Sequence, residues 1–217
     1  MTVQIPGSRR PGGRTARTRE AVMRAVVAEL AENGYAGTTV ERVAQRAGTA
    51  KTTIYRRWGG LDGLLADLMA EHAAREIQVP DGGDLDRDLR ALARAVVASL
   101  AGPGVRAAFG NMLAAAVQDP AARGVLSGFL AARIARMTVI IDRAVQRGEL
   151  APDTDAAEVL RTMATLIYGR LFFSGEPPSP ALGDAVAATV AAAARAGAMR
   201  LPAGKPAGKP AGKEAER

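Results

Sequence analysis

The 217-residue chain contains no cysteine, so disulfides and thiolate metal sites are excluded. It has one histidine and one tryptophan, and aromatics are only 4% of its residues. A nucleophile that needs an imidazole base therefore has one candidate, His72, and no motif brings a serine to it. A solitary histidine at helical spacing is read as a surface or packing residue. Arg or Asp interrupts each apolar run, so none is expected to reach the ~18–20 residues of a membrane span. The opening "MTVQIPGSRRPGGR" has no apolar core of the kind a secretory signal carries. These absences set the expectations of a cytoplasmic protein with no membrane partner, no catalytic residues, no cofactor and no metal.

What is present is helix-forming sequence and unevenly placed charge. Hydrophobic residues make up 48% of the chain, with long Ala, Leu, Val, Arg and Glu runs that favour helix. The net charge is +7. Residues 1–60 hold 11 Lys and Arg against 4 Asp and Glu, whereas residues 61–200 hold 14 against 16. A basic end on a near-neutral body points to a polyanion partner at that end.

The pattern divides the chain. Residues 1–14 form a Gly/Pro/Arg arm and 201–217 a Pro-Ala-Gly-Lys tail, and neither has the composition to bury a core. A first helix is expected from near Thr18 to Asn33, with Val22, Val26 and Leu30 on one face. Thr38 and Glu41 have capping-box spacing for a helix ending near Gly48. A short helix about Lys51–Trp58 follows, then a fourth from Leu61 to about Ile77. After the linker "VPDGGD", five further helices are expected near 85–101, 104–117, 120–148, 155–174 and 180–199. No segment alternates convincingly with period two. The expected fold is all-α: a helix-turn-helix domain over 15–77 (motif 38–57) and a helical bundle over 85–200.

In "GTTVERVAQRAGTAKTTIYRRW", a helix, a tight turn at Gly48 and a short helix make a helix-turn-helix. Val40, Val43, Ala44, Ala47 and Ile54 supply its inward face. The outward residues of the second helix are Lys51, Thr52, Thr53, Tyr55, Arg56 and Arg57. Cations and small hydroxyls suit base edges in the major groove, and Tyr and Thr hydroxyls suit phosphate oxygens. With Thr38, Thr39 and Thr49 at the helix mouths, these are the candidate DNA-binding residues.

The pieces "AELAENGYAGTTVERVAQRAG" and "TAKTTIYRRWGGLDGLL" resemble the N-terminal domain of the TetR (tetracycline-repressor-like) family of transcription regulators. The resemblance covers about the first third of the chain. It implies a homodimer that binds a near-palindromic double-stranded operator and releases it when a small molecule binds. It places the recognition-helix positions on Lys51, Thr52, Thr53, Tyr55 and Arg56, and the packing aromatic on Trp58. The chain departs from the family in having Ala50 where a serine usually caps the recognition helix, with Thr49 as an alternative cap. It also has Leu61 where the family usually has a phosphate-binding lysine.

The remaining candidates lie in the bundle. Phe109, Met112, Phe129, Arg133, Met137, Met163, Ile167 and Tyr168 form a candidate ligand pocket, apolar with polar handles; ordinary core packing is the competing reading. Leu160, Ile167, Leu171, Val186 and Val190 are the candidate dimer interface, on two helices rich in apolar and small residues. The alternative function is a non-specific, nucleoid-type DNA binder, to which the lysine-bearing tail points.

Overall fold

The computed structural model describes residues 14–201, apart from the side chains of residues 14 and 69–76. The basic arm, almost all of the tail and the His72 side chain lie outside these described residues. Within them the chain forms nine α-helices. They are α1 (Arg14–Gly37), α2 (Val40–Ala47), α3 (Lys51–Trp58), α4 (Leu61–Glu76), α5 (Leu85–Ser99), α6 (Pro103–Gln118), α7 (Pro120–Gln146), α8 (Ala156–Tyr168) and α9 (Pro180–Arg195), with a π-helical turn at Gly169–Phe173. Among the described residues there is no strand, only an isolated antiparallel bridge between Thr154 and Arg200. The all-α expectation holds, and the helix ends fall close to the Gly and Pro punctuation.

Two compact units emerge. The first joins residues up to Glu76 with Leu100–Leu130; the second joins Ile77–Ser99 with the chain from Ala131 onward. The boundary differs from the linker-based reading of 15–77 and 85–200. Linker composition marks where the chain can turn, not what a helix packs on, and α6 packs on α1 within the first unit.

In the first unit, Val22, Val26 and Leu30 of α1 are fully buried, as their i, i+4, i+8 spacing requires. Val43 and Ile54 are also fully buried, and Leu64 and Leu65 of α4 join the same core. The helix N-cap before α2 is Thr39, whose hydroxyl accepts from the Arg42 amide at 3.2 Å. That corrects the capping-box placement on Thr38. Gly48 then ends α2 in the left-handed region, φ 63°, ψ 36°, which glycine adopts without cost.

In the second unit α5 and α9 lie in close contact. A Cβ on Gly183 would stand 3.0 Å from the Arg94 backbone nitrogen and 3.2 Å from the Ala93 carbonyl carbon. Arg94 grips Asp184 with both nitrogens, at 2.6 and 2.7 Å, alongside that contact. Leu160, Ile167, Leu171, Val186 and Val190 are all 0–5% exposed within the single chain. They form the core of this unit and are not available as a dimer interface, which corrects that expectation. A helix that is apolar on several sides is here covered largely by its own chain.

By length and composition α7 is apolar enough to cross a membrane, with mean hydropathy 1.6 over its most apolar stretch. This differs from the expectation that charge interrupts every such run. The helix nonetheless carries Arg123, Arg133, Arg136 and Arg143. Leu126, Phe129, Met137, Ile140, Ile141 and Ala144 are buried inside the protein.

Candidate nucleic-acid interface

Local sequence chemistry fixes α3 before any partner is considered. Ile54 points inward and is fully buried. Trp58, at the other end of the helix, donates its indole N–H to Asp67 of α4 at 2.8 Å. Asp67 also receives two hydrogen bonds from Arg19 of α1, at 2.8 and 3.0 Å. These bonds, Arg19 foremost, hold the Asp67 carboxyl below the usual carboxylate range. One carboxylate thus ties α1, the end of α3 and α4 together. Gly63 lets the chain close there, since a Cβ on it would stand 1.8 Å from the Trp58 carbonyl oxygen.

With Ile54 and Trp58 anchored, α3 presents Lys51, Thr52, Tyr55, Arg56 and Arg57 to solvent, and Thr53 is half-buried. Tyr55 is 48% exposed. No side chain caps α3 at Ala50, so Thr49 does not serve as the alternative cap. An uncapped N-terminus leaves backbone N–H groups aimed outward at the positive end of the helix dipole, which favours an anion there. Arg17, Thr18 and Ala21 of α1 face Ala47, Gly48 and Thr49 across an open groove of about 420 Å³ beside that helix start.

Several candidate residues take different roles. Thr38 is 3% exposed, and its hydroxyl donates to the Gly34 carbonyl at 2.7 Å, so it cannot reach DNA. Thr39 is exposed at the mouth of α2. The Arg57 guanidinium lies 4.8 Å from the centre of the Trp58 ring and donates to the Thr15 carbonyl at 3.2 Å. It packs α3 against α1 as well as adding charge. Lys51 stands 3.9 Å from Glu41, but both side chains are about 60% exposed. A pair so open to water is weak and leaves the ammonium available.

Sequence reasoning missed a buried carboxylate. Glu29 is 3% exposed and accepts from Asn33 at 2.9 Å, Arg42 at 3.1 Å and Arg46 at 2.7 Å. It fastens α1 to α2 and so fixes the helix-turn-helix. The signal was legible: Glu29 falls seven residues after Val22, on the apolar stripe of α1, where an acid must find partners.

The candidate ligand-pocket residues divide between the units. Phe109, Met112 and Phe129 are buried in the first, where the two phenylalanine rings meet edge-on at 6.1 Å. Met137, Met163, Ile167 and Tyr168 are buried in the second, with Arg133 half-buried there. Burial raises the Tyr168 hydroxyl above its ordinary range, and the nearby Arg133 charge opposes that shift. Among the described residues no group of His, Asp and Glu is placed to hold a metal.

Comparison with known proteins agrees with this geometry. Residues 22–68 match the family described as bacterial regulatory proteins, tetR family. Residues 79–190 match a tetracyclin repressor-like C-terminal domain. The chain is 29% identical over 168 residues to the HTH-type transcriptional regulator AqdR of Rhodococcus erythropolis, spanning 77% of this chain and 81% of that one. It is 27% identical over 170 residues to the HTH-type transcriptional regulator YdeS of Bacillus subtilis, spanning 76% and 82%. The solved structure of Salmonella enterica GusR superposes with a TM-score of 0.69 at 20% identity, over 87% of this chain and 98% of that one. At that identity the likeness speaks for the fold alone.

Proposed function

The chain belongs to the TetR family of DNA-binding transcriptional regulators, and from that premise we propose that it is a homodimeric repressor that leaves its operator when a small molecule binds. It is a regulator and not an enzyme, as are the proteins it matches. The observation that carries DNA reading by this helix is the exposed row Lys51, Thr52, Tyr55 and Arg56, held out by the buried Ile54 and the anchored Trp58. Lys51 and Thr52, at the helix start, read base edges; Tyr55 and Arg56, one turn on, hold phosphates. The operator is near-palindromic because two copies present two such helices.

Support for a dimer comes from a face that the chain leaves open. On α9, Ala181, Ala185, Ala188 and Ala192 are exposed at helical spacing, and Phe173, in the π-helical turn that precedes that helix in the chain, is 89% exposed. Small residues let a second helix approach closely, and a phenylalanine so exposed gains by being covered. This outer face replaces the buried candidates as the proposed contact. The ligand is a small, largely apolar molecule held by the second unit, with Met137, Met163 and Ile167 for its body and Arg133 and Tyr168 for a polar group. The protein acts in the cytoplasm, where its DNA lies.

Selection of a preferred duplex from a random library, followed by titrations over a range of salt, tests the reading. A regulator binds the selected duplex ~10³-fold or more tighter than random duplex. Equal affinity for both would replace it with the nucleoid-type alternative.

A further inference from the structure

Residues 1–204 contain a single lysine, Lys51, and their other permanent cations are all arginines. The remaining lysines, Lys205, Lys209 and Lys213, belong to the tail outside the described residues. The difference is chemical. A guanidinium stays protonated and is no nucleophile, whereas a lysine ammonium gives up a proton and its amine takes acyl groups. An acyl donor therefore meets one lysine amine in the folded body, and that amine stands at the start of α3.

The surroundings of Lys51 suit that reaction. Its side chain is 62% exposed, so a donor reaches it without any opening of the fold. The Glu41 carboxylate, in the first turn of α2, stands 3.9 Å from the Lys51 Nζ. It is near enough to receive, through one water, a proton that leaves the nitrogen. The open groove beside the start of α3 is lined by Arg17, Thr18 and Thr49, and Thr49 is two residues before Lys51. A guanidinium and hydroxyls are phosphate ligands. Helix α3 begins there without a side-chain cap, at the positive end of its dipole. All of these residues belong to the first unit.

We propose that Lys51 is an acylation site, that its donor is a small acyl phosphate seated in this groove by its phosphate, and that acylation releases the protein from its operator. The inference rests on the reading of α3 as the DNA reader. The neutral amine attacks the acyl carbon and the N–C bond forms. The bond from the acyl carbon to the bridging oxygen breaks, and inorganic phosphate leaves with that electron pair. The proton from the nitrogen passes by way of Glu41 to water. The product amide is uncharged and keeps one N–H where the ammonium had three donors, so the base contact at this position is lost.

The test uses the full chain, the duplex obtained by selection and acetyl phosphate as the donor, with the modified lysines read by peptide mass spectrometry. The three tail lysines are the internal reference. Lys51 is expected to gain its acetyl group roughly tenfold or more faster than each of them. Glu41→Gln and Arg17→Gln should each bring Lys51 down toward the tail rate while the tail lysines react as before. An acetyl thioester that carries no phosphate should show less preference for Lys51. The acetylated protein should bind the selected duplex about five- to 150-fold more weakly. Lys51→Arg keeps the charge and takes no acyl group, so the same treatment should cost it no affinity. Lys51 reacting no faster than the tail lysines overturns the site, and equal selectivity with the thioester overturns the acyl phosphate as its donor. An equal loss of affinity in treated Lys51→Arg overturns the switch, because other amines then cause it. Protection of Lys51 by bound duplex separates the two readings. Where the duplex shields Lys51 but the site fails, only the acylation is wrong; where it gives no protection, α3 is not the reader and the switch falls with it.

Discussion

Thr38 and Thr39 carry the same side chain one residue apart, and only Thr39 reaches solvent. Both suit a helix mouth by type, so sequence spacing alone placed the cap one residue early; the burial of Thr38 against Gly34 decided it. At the same scale, Lys51→Ala and Thr52→Ala should each cost ~1–3 kcal/mol on the operator and relax its preference at one base pair. Titrations against single-base operator variants measure this, and unchanged relative preferences would remove α3 as the reader. A pH effect belongs here as well. The folded Asp67 carboxyl is held low, first by Arg19, so its contribution is present above the ordinary carboxylate value near ~3.9 and is lost as pH falls through the folded value. Trp58, the only tryptophan, reports on that carboxylate. Its emission should change as pH falls below ~4, and Asp67→Asn should shift the neutral-pH emission and flatten the acid transition. The same acid transition in Asp67→Asn would show that another group drives it.

Among the elements, α9 shows how a helix reads differently once packed. Its Ala-rich sequence permits close approach on any side. The inner side is used against α5, where Gly183 meets the Arg94 and Ala93 backbone. Gly183→Ala puts a methyl against main chain that cannot rotate away. It should destabilise the protein by ~1–3 kcal/mol, the usual cost of overpacking. Thermal or denaturant unfolding tests this. A melting temperature equal to the wild type would mean that α5 and α9 part more easily than their spacing implies. The short α3 makes a related point. Its eight residues lack a side-chain cap, so packing through Ile54 and Trp58 must hold it where intrinsic propensity does not.

For the whole molecule, the outer face of α9 is the proposed join between copies. Ala185→Glu places a charge at its middle and should shift the protein from dimer to monomer in sedimentation while leaving its helicity intact. Ile167→Glu, by contrast, buries a charge inside one protomer and should unfold it, an effect of several kcal/mol. A wild-type monomer at micromolar concentration would overturn the dimer.

The sequence by itself determined the all-α class, the helix ends at Gly and Pro, and the outward row of α3. Each depends on local spacing: 3.6-residue periodicity, left-handed glycines and the basic run around Lys51. It also showed an acid, Glu29, on an apolar stripe, though not which arginines would answer it. Only the tertiary structure decided that Arg42 and Arg46 do so, that Arg57 stacks on Trp58, and that Leu160 and Ile167 lie in the core of the single chain. It also joined α6 to α1 through Asn111 and Leu30, 81 residues apart in the chain. The division has a physical cause: caps and periodic faces are set within one or two helical turns, whereas burial and ion pairing are settled by which helices meet.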